Sequence, residues 1–112
     1  MNNIGAIYSK IGNKTEALKY YQDCLEIDKS IYNKDHYNTA ISLSNIGSVY
    51  KDLGNKLESL RYYEESLEMR KRLFKNDHPD IASSLNCICL IQRDLGNKDE
   101  ALRLCQDSFL MR

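Results

Sequence analysis

The chain repeats itself every 42 residues. Gly12, Gly54 and Gly96 occupy the same place in successive copies, each followed by Asn-Lys and, two places further, by Glu16, Glu58 and Glu100. Residues 3–44 and 45–86 share about 19 identities over 42 aligned positions, and the shorter copy from residue 87 shares about 12 over 26 with the middle one; self-similarity at a fixed period identifies an array in which each unit is one supersecondary element. Such a unit contacts only its neighbours, so the apolar core runs through the stack as a continuous seam.

Composition narrows what the array can do. Sixteen basic and sixteen acidic residues leave no net charge in 112 residues, so no overall field draws the chain to nucleic acid or to an anionic membrane. No apolar run reaches the roughly 20 residues needed to cross a bilayer. The N-terminal MNNIGAIYSK lacks the basic-then-apolar layout of a secretory signal. The expected setting is therefore the cytoplasm, with no membrane insertion. Cys24 aligns with Ser66 and Ser108 and Cys89 with Gly47 and Gly5, small slots in the other copies, and with Cys87 and Cys105 they read as reduced packing residues.

Apolar residues recur at helical spacing throughout. Met1, Ile4, Gly5, Tyr8 and Ile11 form one stripe of a first helix over residues 1–10. Gly12 then suits a left-handed helix stop, and Asn13 caps a second helix over about 14–32 with Glu16 reaching back, a variant of the capping box. Its buried side is Ala17, Leu18, Tyr21, Leu25 and Ile31, widened by Tyr20. The same devices predict helices over about 37–53 and 56–74, then over about 79–95, where Pro79 tolerates its missing amide hydrogen in the first turn. A last helix starts near Lys98 and is still in phase at Arg112. Both ends look cut, with Leu102, Phe109 and Leu110 on an uncovered face, so the chain reads as part of a longer array. The fold class is all-α, a right-handed superhelix of about three helical hairpins at about 1–36, 37–78 and 79–112.

Ala40, Leu43, Ile46, Gly47, Tyr50, Gly54, Ser59, Tyr63, Ser66 and Leu67 stand at spacings that resemble the tetratricopeptide repeat, as do Gly5, Tyr8, Gly12, Ala17 and Tyr21. The 42-residue spacing, longer than the usual 34, together with Asp77-His78-Pro79 and the pairs Asn2-Asn3 and Ser44-Asn45, is similar to the kinesin light chain type. The third copy departs from it, with Cys89 for the packing glycine, Gln92 for the first tyrosine and Cys105 for the second. The resemblance implies a non-catalytic scaffold, without cofactor or metal, whose concave groove is lined by the first helix of each pair and binds short, acidic peptide segments of partner or cargo proteins. It also implies a kinesin heavy chain as a further partner, bound through regions outside this chain, and a cytoskeletal association.

Stepping by three and four along the stripe opposite Leu43, Ile46 and Tyr50 selects the groove side chains. These are Ile41, Ser44, Asn45, Ser48, Lys51 and Asp52 in the middle copy. Their equivalents are Asn2, Asn3, Ala6, Ser9 and Lys10 before it, and Ser83, Asn86, Cys87, Leu90, Arg93 and Asp94 after it. Asparagine offers a donor and an acceptor, as an extended peptide backbone requires, and Lys10, Lys51 and Arg93 add positive charge for an acidic ligand. The lysines that would clamp a terminal carboxylate are missing.

Other constellations read as structural. Tyr20-Tyr21 and Tyr62-Tyr63 are packing residues, His36 and His78 serve loops and caps, and Arg70, Lys71, Arg72 and Lys75 complement a helix C-terminus. Cys87 and Cys89 lie about 200° apart around a helix and cannot share an ion. Each Gly-Asn-Lys is a hairpin and not a phosphate loop. An alternative to the peptide groove is a self-association module stacking through the terminal faces around Leu102 and Phe109.

Overall fold

The structure, a computed structural model, describes residues 13–32, 34–74 and 78–110. The first expected helix, with Asn2, Asn3, Ser9 and Lys10, lies outside the described residues, as do Lys75 and the side chains of Phe109 and Leu110. All regular structure among the described residues is helical: α1 Lys14–Ile31, α2 Tyr37–Asp52, α3 Lys56–Leu73, α4 Pro79–Asp94 and α5 Lys98–Leu110. Helices α2 and α3 form one hairpin and α4 and α5 another, each pairing more extensive than those joining α1 to α2 and α3 to α4. This is an all-α helical-repeat superhelix.

The hairpin corners are set by backbone chemistry. Gly54 and Gly96 have φ of 86° and 90°, the left-handed region that a side chain would strain. Gly54 N–H donates to Lys51 O at 3.0 Å and Asn55 N–H to Tyr50 O at 2.9 Å, and Gly96 and Asn97 repeat the pattern on Arg93 and Gln92. These paired bonds satisfy carbonyls that the helix end leaves open. Asn13 and Asn55 then accept the amide hydrogens of Glu16 and Glu58. In the second copy only that half of the expected capping box is built, and in the third neither half is seen among the described residues. The carboxylates of Glu58 and Glu100 are taken by Arg61 and Arg103, and the Asn97 side chain donates to Gln92. At the other corners His36 and His78 cap α2 and α4, their Nδ1 atoms accepting from Asn38 and Asp80 at 3.1 Å. Their rings stack on Tyr32 and Phe74, with centroids 3.6 and 3.8 Å apart.

The core is two clusters one period apart. Ala17, Tyr21, Leu25, Leu43, Ile46 and Val49 fill the first, and the second holds Tyr63, Leu67, Leu85, Ile88 and Ile91 with Ile81, Cys89, Ala101 and Leu104. Tyrosines 21 and 63 are only 5% exposed, as a packing role requires. Ile31 does not join them and is 65% exposed. It is the last residue of α1, where the chain turns extended at Tyr32, and the Tyr32–His36 stack closes that corner instead.

Buried hydroxyls tie the helices of a hairpin together at equivalent places. Ser66 donates to Ala40 O and Ser108 to Ala82 O, both at 2.8 Å, and Ser59 donates to Gly47 O at 2.6 Å. Between hairpins one position changes its charge: Ser42 donates to the Asp28 carboxylate at 3.0 Å, whereas one period on Arg70 donates to Ser84 Oγ at 2.6 Å and to Asp80 O at 3.3 Å. The basic cluster around Arg70 is accordingly tied up within the protein. Arg72 grips Asp35, whose carboxyl that bond holds below its ordinary range, and Lys71 pairs with Glu68.

Thr39 is the exception to this economy. It is 3% exposed and its Oγ1 has no hydrogen-bond partner among the described residues, while the same place one period on is Ile81. An unmatched buried hydroxyl costs about 1–3 kcal/mol. Thr39→Val is therefore expected to stabilise the chain by about 1 kcal/mol, read as a rise of several degrees in Tm.

The cysteines correct the expectation that all four are reduced. Cys24 and Cys87 are free, but Cys89 and Cys105 are joined in a disulfide with Cα atoms 5.5 Å apart, within the span the bond allows. The reason lies one period back. A Cβ on Gly47 would stand 3.2 Å from the Tyr63 ring, so the two cysteines replace a pair of residues already in contact.

Candidate peptide-binding groove

The expected groove stripe runs along α2 and α4. On α2, Ser44, Asn45 and Ser48 are half-buried and Lys51 is exposed; on α4, Asn86 and Leu90 are half-buried and Arg93 is exposed. These side chains do not stand equally free. Ser66 Oγ gives its one hydrogen to Ala40 O, so in the 2.8 Å contact between Ser44 and Ser66 the donor is Ser44. Ser44 thus belongs to the hairpin seam and keeps only acceptor capacity for a ligand.

Asn45, Asn86 and Lys51 are unengaged. Among the described residues neither amide side chain has a hydrogen-bond partner, and Lys51 has no ion pair. Arg93 makes one long contact, 3.4 Å, to its neighbour Asp94. Asp52 is drawn to Lys14 at 3.3 Å, which offsets an acidic charge beside Lys51.

At the floor between α2 and α4 the structure adds a residue that the spacing did not select. The Tyr63 phenol, reaching from α3, lies near Ser48 and Cys87, and burial, reinforced by Cys87, pushes it up to about 12. It stays neutral and can donate or accept. Its packing role is as expected, since it is buried in the second core cluster, and its phenol oxygen also brings a polar group near the groove floor.

Leu90 and Arg93 border a cavity of about 250 Å³ with Cys89, Lys98, Ala101, Leu102 and Cys105. Leu102 is 60% exposed there, as its position on an uncovered face predicts. Two other cavities, about 380 and 290 Å³, lie along α3 and between α3 and α5, away from the stripe. Burial and the nearby Glu68 and Glu100 push Glu64 between them above its ordinary range.

Comparison with known proteins follows this geometry. The tetratricopeptide repeat family model matches residues 1–72 and 42–109. The chain belongs to the tetratricopeptide repeat family. Its fold is that of crystal structures of the nearly identical TPR-like repeats of a predicted kinesin light chain from Podosopora anserina, with a TM-score of 0.88, 16% identity and 98% of the chain covered. A substituted variant of that protein gives the same values. The chain spans about half, 52%, of those solved chains. No curated protein sequence matches it. Tetratricopeptide repeats are protein-interaction scaffolds and typically non-catalytic, and among the described residues no helix is long and apolar enough to cross a membrane.

Proposed function

We propose that the face carrying Asn45, Ser48 and Lys51 on α2, with Asn86, Leu90 and Arg93 on α4, is a peptide-binding groove that holds an extended, acidic segment of a partner protein without catalysis. Asn2, Asn3, Ser9 and Lys10 continue it in the first of three repeats. The observation that carries this reading is the pair of side-chain amides, Asn45 and Asn86, that have no hydrogen-bond partner among the described residues, on the face where Lys51 likewise has no ion pair among them. An extended peptide presents an N–H and a C=O at every residue, which an asparagine side chain can bridge. Lys51 and Arg93 supply the charge that would favour acidic ligands, and their exposure makes that part sensitive to salt. By likeness to the kinesin light chain repeats, the proposal extends to cargo segments as ligands, to a motor heavy chain bound through regions outside this chain, and to a cytoplasmic, cytoskeleton-associated location.

The test is fluorescence anisotropy with labelled extended peptides, acidic and basic, of equal length. Acidic peptides are expected to bind more tightly, and Asn45→Ala with Lys51→Ala to weaken that binding roughly tenfold while leaving the circular dichroism unchanged. Equal affinity in the folded double variant removes the groove from the reading. A heptad region preceding the array in the full reading frame would support the motor-adaptor part.

A further inference from the structure

We propose that Cys89 and Cys105 are a redox-controlled staple that sets the stability of the last hairpin and, through it, the order of the groove wall on α4. The two cysteines stand where the preceding hairpin has Gly47 and Tyr63, one on each helix and in contact. There the tyrosine ring fills the space beside the glycine. In the last hairpin both residues are small, and the packing that the ring supplies is replaced by a covalent bond between α4 and α5. When that bond opens, two thiols remain where the neighbouring hairpin buries an aromatic ring.

The bond is placed where it can be reached. Cys89 is 3% exposed, but Cys105 is half-buried, and both border the 250 Å³ cavity whose walls also include Leu90, Arg93 and Leu102. A small disulfide such as oxidised glutathione is the oxidant. The thiolate of the more accessible Cys105 attacks one of its sulfurs, that S–S bond breaks, and one glutathione thiolate leaves. The Cys89 thiolate then attacks the Cys105 sulfur of the mixed disulfide and releases the second. The protons of the two cysteines end on the two glutathiones, so the two-electron oxidation of the protein pair is balanced by reduction of the small disulfide, and excess thiol reverses it. The cysteines are 16 residues apart, and closing a loop of that length shifts the folding equilibrium by roughly a hundredfold in the chain-entropy description. Leu90 and Arg93 flank the staple on α4, so the groove wall they form is ordered with it.

The experiment equilibrates the 112-residue chain in glutathione buffers of stepped ratio, quenches with acid, unfolds the chain in denaturant so that buried thiols are reached, alkylates the free thiols and reads the modified positions by mass spectrometry, with urea unfolding in parallel. Under oxidising conditions Cys24 and Cys87 are expected to be alkylated and Cys89 and Cys105 protected; under reducing conditions all four react, and the folding equilibrium falls by roughly a hundredfold. The variant Cys89→Gly with Cys105→Tyr rebuilds the preceding hairpin's pair and is expected to unfold identically in both buffers. Cys24→Ser with Cys87→Ser keeps the full redox dependence. Alkylation of Cys89 and Cys105 under oxidising conditions, or redox dependence that survives in the Gly/Tyr variant, overturns the proposal. Both readouts are independent of peptide binding.

Discussion

Ile46→Ala is expected to cost about 3–4 kcal/mol of stability. The side chain is fully buried, 0% exposed, in the cluster that joins α1 to the hairpin of α2 and α3 through Ala17, Tyr21, Leu25, Leu43 and Val49. Truncation removes the transfer free energy of three buried carbons and leaves a void that helices tied by the Ser59 and Ser66 hydrogen bonds cannot close. The loss is also expected to be local, because stability in a stacked array is close to a sum of nearest-neighbour interfaces. Hydrogen exchange would resolve it: the amides of α1 should lose protection well before those of α4 and α5. Uniform loss along the chain would mean that the array unfolds as one unit.

Ser84→Ala carries the second large effect, about 2–3 kcal/mol, through a cation rather than a cavity. Arg70 is 9% exposed and, among the described residues, has no carboxylate in bonding contact; burial pushes its guanidinium below the usual range while Asp80 partly offsets this. Its short bond to the Ser84 hydroxyl is the better of its two, the carbonyl of Asp80 lying at 3.3 Å. Removing that hydroxyl leaves a buried charge with one long hydrogen bond. Arg70→Met in the same background should recover most of the loss, since an apolar chain of similar length needs no partner. Urea midpoints of both single variants and the double variant give the coupling directly. A double variant as unstable as the sum of the singles would show that the seam needs the charge itself.

The fold was legible because its determinants are local and repeated. Glycine at the corner, asparagine after it and apolar residues at helical spacing located every described helix, each of α1 to α4 ending within one residue of expectation. What could not be read is what depends on which side chain meets which across a seam. The stripe rule placed Ser44 in the groove, yet a partner 22 residues away holds its hydroxyl. It assigned Tyr63 to packing, as the core confirms, but could not show that Ser48 and Cys87 come close enough to act on its phenol. The disulfide was hidden for a related reason. Cys89 and Cys105 were compared with their own equivalents, Gly47 and Tyr63, one at a time, whereas the informative fact is that those two residues touch.

The serines between hairpins bear on how such an array can grow. A hydroxyl both gives and takes a hydrogen bond, so Ser42 meets a carboxylate and Ser84 a guanidinium without any change at the receiving position. The joint is indifferent to the sign of the charge plugged into it. A hairpin can therefore be duplicated and its last-turn residue can drift from acid to base without a matching substitution in the neighbour, which leaves the outward faces free to diverge while the stack stays joined.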